Sequence, residues 1–166
     1  MGTKQKVLFI IFLVLAIATN VFILVEGGMS GSLSGAQSGG ITNAFIEFVR
    51  RIDPNSPIVT DPDSTHYLVR KLVGHFGLFG ISGIFTTLSF MLYKNLLREH
   101  RWLLLIISAF IGLLIAFTSE LLQLLHKDRF FSPIDTLIDF AGYIGFGGIT
   151  FLIGLLVIRK DKSKDA

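Results

Sequence analysis

The chain contains no cysteine, which excludes disulfides, thiolate catalysis and cysteine-ligated zinc. No HExxH, EF-hand or GxSxG spacing occurs, so the common signatures of zinc hydrolysis, calcium binding and serine nucleophiles are missing. Charged residues make up only 16% of the chain. What fills it is apolar: 51% hydrophobic residues, 16 phenylalanines and a mean hydropathy of +0.67. That profile belongs to a polytopic membrane protein and not to a soluble domain. A chain of 166 residues has room for about four spans and no sizeable soluble domain. The net charge of +3 does not point to nucleic acid, because much of the basic excess flanks apolar runs, as membrane topology requires.

Four such runs stand out: Val7 to Val25, Leu72 to Tyr93, Trp102 to Leu125 and Ile134 to Ile158. Each is long enough to cross a hydrocarbon core of roughly 30 Å at about 1.5 Å per residue. Only helices satisfy their backbone within one segment of this length. The sequence therefore predicts an all-α integral membrane bundle of four transmembrane helices. Lys4, Lys6 and Ala16-Ile17-Ala18 give the first run some features of a cleaved signal peptide. Its continuation through Val21 to Val25 favours a retained anchor.

Lys4 and Lys6, then Lys94, Arg98 and Arg101, then Arg159, Lys160, Lys162 and Lys164 all fall on one side of a four-span chain. The positive-inside rule then predicts a multi-pass cell-membrane protein with both termini cytoplasmic and the 26–71 loop outside. In that loop, residues 27–40 are rich in glycine and serine and read as mobile. Ile41, Ala44, Phe45, Phe48, Val49 and Ile52 have helical spacing, which predicts a short amphipathic helix lying on the outer leaflet or packed over the bundle mouth. Pro54, Pro57 and Pro62 impose an irregular stretch, after which Asp63 or Ser64 can cap the next helix. The chain divides into an anchor and outer loop (residues 1–69), a transmembrane domain (70–158) and a basic cytoplasmic tail (159–166).

Gly74, Gly77, Gly80 and Gly83 recur every three residues in the second span, and Gly142, Gly145 and Gly148 do so in the fourth. Small residues let helix backbones approach closely in lipid. The two spans are expected to touch, bringing Lys71 and His75 towards Asp135 and Asp139. Lys71 and His75 share a helical face, with Arg70 pointing elsewhere. Glu120, Gln123 and Lys127 share another, and Asp135 and Asp139 a third.

These groups converge on one pocket or merely tie helices together. Asp135 near a helix start gains from the helix dipole, and Arg129 and Lys127 have a ready place among headgroups. Glu120 differs, since a bare carboxylate at full membrane depth costs about 2.5–3.5 kcal/mol and must be protonated, paired or wetted. His75, Glu120, Asp135 and Asp139 are the candidates for acid–base chemistry, with no nucleophile motif beside them. The same four offer nitrogen and oxygen ligands, but no metal-binding spacing accompanies them, so neither metal nor cofactor is assigned. His66 and His126 read as solvated.

The order K-x-x-x-H-F (Lys71, His75, Phe76), E-x-x-Q (Glu120, Gln123), R-x-x-S-x-x-D (Arg129, Ser132, Asp135) and D-x-x-G-x-x-G (Asp139, Gly142, Gly145) resembles the VanZ-like family. The resemblance covers Arg70 to Ile158. The family often has Asn at the position of Asp139 and Tyr at that of Phe79. The resemblance implies a small integral protein of the bacterial cell envelope, of the type linked to teicoplanin resistance in Gram-positive bacteria, with no known reaction. Lowered susceptibility to lipoglycopeptides is then expected to run through an outward pocket of Lys71, His75, Glu120, Gln123, Arg129, Asp135 and Asp139. Arg129 and Lys71 would be its anion contacts, and Glu120 would orient His75. Its partners would be membrane lipids and a lipoglycopeptide or lipid-linked precursor, with no nucleic acid and with homo-oligomerisation left open. The alternatives are a membrane enzyme acting on a lipid-linked or phosphorylated envelope precursor, and a structural membrane subunit.

Overall fold

The computed structural model describes residues 2–93 and 100–162. Lys94, Arg98 and Lys164 lie outside the described residues, as do the side chains of Arg101, Arg159, Lys160 and Lys162. The described chain is all helical: α1 (Thr3–Gly27), α2 (Gly31–Ile52), α3 (Pro57–Thr60), α4 (Pro62–Leu92), α5 (Arg101–Gln123) and α6 (Pro133–Lys162). α1, α4, α5 and α6 are long and apolar enough to cross a membrane. Their outward faces carry apolar side chains such as Ile10, Val14, Ile106, Phe110, Leu152 and Ile153, all more than half exposed. Continuous apolar cover of this extent suits lipid, not water.

α4 packs most extensively against α6 and α1. The contact with α6 depends on missing side chains. A Cβ on Gly83 would run into the Tyr143 backbone, and one on Gly142 into the Phe76 backbone. Gly80 lies under the Phe146 ring, where a Cβ would sit 2.7 Å from the nearest ring carbon. Of the two glycine series, however, Gly74, Gly145 and Gly148 meet nothing, while Gly147, outside either series, faces Thr87 and the Gly83 backbone. Gly27 seats α1 against the Ser119 backbone, and Gly112 makes room for the Tyr143 ring. Close approach also allows polar ties inside the bundle: Ser82 donates to Asn20, and Thr87 lies 3.4 Å from Ser108.

Gln5 Nε2 donates to the Leu92 carbonyl at 3.0 Å, which places the start of α1 beside the end of α4. At the opposite end, Arg129 reaches the Glu26 carbonyl in the last turn of α1 and the Met29 carbonyl just beyond it, and the polar residues gather there.

Three local expectations change. The glycine- and serine-rich stretch is helical from Gly31 onwards and continuous with the amphipathic segment. Ser30 caps it by accepting from Leu33 N, and Asp128 accepts from Ser32 N at 3.3 Å. These caps and the packing of Thr42 and Ile46 outweigh the low intrinsic helix propensity of glycine. Ile41, Phe45, Phe48 and Ile52 form an exposed apolar stripe on the same helix. Second, α4 starts at Pro62, ten residues before the apolar run, and its cap is Asp61 and not Asp63 or Ser64. The Asp61 carboxylate accepts from Ser64, which holds its pKa below the usual carboxylate range. Third, α4 is π-helical over Arg70–Gly77.

Candidate functional site

The π segment carries Arg70, Lys71 and His75, and its i→i+5 register stacks Arg70 and His75 on one side. Both line a cavity of about 260 Å³ enclosed by α1, α2, α4, α5 and α6. The α-helical period sends Arg70 elsewhere; the wider π turn brings it in. π-helical turns of this kind recur at functional sites.

One wall of the cavity is apolar, with Phe22, Ile23, Ile41, Val73, Leu78 and Phe79. The other holds Glu26, Arg70, His75, Glu120, Gln123, Arg129 and Asp139. Close contact of α4 with α6 orders the polar groups into pairs. Lys71 Nζ pairs with Asp135 Oδ1, and His75 Nδ1 meets Asp139 Oδ1 at 2.9 Å. His75 Nε2 stands 3.9 Å from Asp135 Oδ2. Asp139 is fully buried, and its second oxygen, Oδ2, has no hydrogen-bond partner among the described residues.

Glu120 is also fully buried. Its Oε2 accepts from Ser132 N at 3.0 Å and its Oε1 accepts from the Gln123 amide. Gln123 Oε1 accepts from Arg129 Nε at 3.0 Å, and Arg129 Nη1 donates to the Glu26 and Met29 carbonyls at 3.3 and 3.0 Å. A relay thus runs from α6 through the end of α5 to the C-terminus of α1, where a cation also complements the helix dipole. Ser132 Oγ accepts from Asp135 N at 3.2 Å and caps α6, a bond worth about 1 kcal/mol in such positions.

All seven candidate residues therefore meet at one end of the bundle, in two groups. His75, Glu120, Gln123, Arg129 and Asp139 face the cavity; Lys71 and Asp135 are not in its lining and satisfy each other. Lys71 is thus paired and outside the cavity lining, whereas Arg70 is part of it. Neither Arg70 nor Arg129 has an ion pair among the described residues. Burial lowers the Arg129 pKa, and the neighbouring Arg70 charge lowers it further. The charges of Glu120, Asp128 and Glu26 act in the opposite sense, so the two guanidiniums share this end of the bundle with carboxylates that form no ion pair with them among the described residues. The group that orients His75 is Asp139, while Glu120 serves the backbone of α6.

Other readings shift as well. Lys127 lies beyond the end of α5 and is exposed. His126 and His66 are partly exposed and each has a protein partner: His126 Nε2 lies 2.7 Å from the Gly28 carbonyl oxygen, and His66 Nε2 lies 3.1 Å from Asn43 Oδ1. Glu26 adds to the sequence-derived set: it lines the cavity, and its buried Oε1 has no partner among the described residues. Its position as the one carboxylate ending the first apolar run was the available signal.

No protein-family model, curated protein or solved structure matches the chain.

Proposed function

We propose that this chain is a VanZ-like protein of the bacterial cell membrane, with both termini cytoplasmic and the cavity opening on the outer side. In this reading the cavity takes an amphipathic anionic ligand and so lowers susceptibility to teicoplanin-type lipoglycopeptides. The observation that carries it is the two-sided lining: an apolar wall from α1, α2 and α4 facing a polar wall whose two arginines, Arg70 and Arg129, form no ion pair among the described residues. The apolar part of the ligand lies along Phe22, Ile23, Ile41 and Phe79, and its anionic group sits between Arg70 and Arg129. Orientation is supported by Lys4 and Lys6 standing at the end away from the cavity. The exposed stripe of α2 then rests on the outer leaflet beside the cavity mouth.

The test compares teicoplanin with vancomycin susceptibility in a sensitive Gram-positive host, with membrane levels of each variant matched. Wild type is expected to shift teicoplanin susceptibility selectively, and Arg70→Gln to abolish the shift. No shift with wild type removes resistance as the role and leaves the fold untouched.

The His75–Asp139 contact beside Glu120, in the wall of the same cavity, favours one second reading: an enzyme acting on a lipid-linked or phosphorylated envelope precursor. There His75 takes a proton from an attacking water and returns it to the leaving oxygen as the P–O bond breaks, with the arginines holding the phosphoryl group. Turnover of such a precursor that vanishes in His75→Gln, with the fold retained, distinguishes it from binding alone.

A further inference from the structure

We propose that His75, Glu120 and Asp139 form a divalent-cation site, for Zn²⁺ or Mn²⁺, at the inner wall of the cavity. The three residues come from α4, α5 and α6, so only the folded bundle assembles them. One ligand atom from each lies within 4.8 Å of the others. Metal–ligand bonds of about 2.0–2.2 Å in a tetrahedron separate ligand atoms by roughly 3.4 Å. The cluster thus needs only a modest contraction to close on an ion.

A second observation points the same way. Asp139 is fully buried and its Oδ2 has no donor among the described residues. A buried carboxylate oxygen left bare is costly, and a cation removes that cost. The surroundings have the character of a supporting shell: Glu120 is held by Gln123 and Ser132 N, and Asp135 by Lys71. Such partners fix the orientation of ligating carboxylates.

One nitrogen and two carboxylates suit a borderline or moderately hard divalent ion and leave a coordination position open. All three ligands line the cavity, so that position is reached from it. His75 Nδ1 lies 2.9 Å from Asp139 Oδ1, within hydrogen-bond distance. If Nδ1 is the ligand, the ion takes the place of that hydrogen bond and a neutral ring carries its hydrogen on Nε2, which stands 3.9 Å from Asp135 Oδ2. The proposal stands apart from the lipid-binding reading, because it asks nothing of Arg70 or Arg129.

The test uses the full chain in detergent, stripped with chelator, and titrated calorimetrically with Zn²⁺ and with Mn²⁺. One equivalent of at least one ion is expected to bind. Asp139→Asn is nearly isosteric and should weaken binding by about 100-fold or more, beyond the roughly 10–100-fold that loss of a supporting group costs. Glu47→Gln, on the exposed face of α2, should leave binding unchanged. Visible absorption of the Co²⁺-loaded wild type gives a readout independent of variant folding, with bands of nitrogen and oxygen coordination expected. Binding that survives in Asp139→Asn, which would mark exposed histidines as the ligands, overturns the proposal. So does the absence of any bound equivalent.

Discussion

Gly142→Ala is expected to lower the stability of the bundle sharply, while Gly145→Ala, one turn along the same helix, leaves it unchanged or raises it. A Cβ at 142 meets the Phe76 backbone, which cannot swing aside as a side-chain tip does. Either the helices separate or the backbone shifts, and overpacking of this kind costs about 1–3 kcal/mol or more. Separation also moves His75 away from Asp139, because Phe76 is its chain neighbour. At Gly145 nothing lies within 4 Å, so alanine gains up to about 1 kcal/mol of helix propensity without penalty. Gly83→Ala should behave as Gly142→Ala, given the Tyr143 backbone against it. Thermal unfolding in detergent, with helix content followed by circular dichroism, reads the contrast. Equal stability of the 142 and 145 variants would mean that α4 and α6 are not in contact through these glycines.

Glu120→Ala should be worse still. Its carboxylate is the acceptor for Ser132 N and for the Gln123 amide, both in a water-poor end of the bundle. Each stranded donor costs about 1–3 kcal/mol, so the loss is about 2–6 kcal/mol against a typical total of about 5–15. Gln123 then releases Arg129, and the clasp on the C-terminus of α1 loosens with it. Glu120→Gln keeps the shape and one acceptor oxygen, so it should fold with a smaller loss of about 1–3 kcal/mol. Membrane abundance and melting temperature of the two variants check this order. An alanine variant as stable as the glutamine variant would remove Glu120 from the relay.

Much of this architecture was legible in the linear chain because lipid imposes simple rules. Length and hydropathy gave four spans, and small residues marked α4 and α6 as neighbours. The approach of Lys71 and His75 to Asp135 and Asp139 follows from that contact. What the sequence hid depends on phase and context. The three-residue glycine spacing could not say that Gly147 faces α4 while Gly145 and Gly148 face away, since that depends on the neighbour's position. An α-helical period points Arg70 away from His75, whereas the π-helical segment places both on the cavity. Helix from Gly31 to Gly40 contradicts local propensity and is held by Ser30, Asp128 and packing elsewhere in the chain. Of the site, the residue types were visible early; their division into cavity-facing and self-satisfied groups was not.

The central claim is that the cavity holds an anionic amphiphile between Arg70 and Arg129. Native mass spectrometry of the protein released from bacterial membranes tests this most directly, comparing wild type with Arg70→Gln. Arg70 has no hydrogen-bond or ion-pair partner among the described residues, so its loss should spare the fold. The account predicts about one anionic lipid retained per wild-type chain under conditions that strip the annulus, and at least a tenfold fall in occupancy in the variant, roughly 1.4 kcal/mol. Equal retention by both proteins, or retention of zwitterionic lipid in preference, would contradict it.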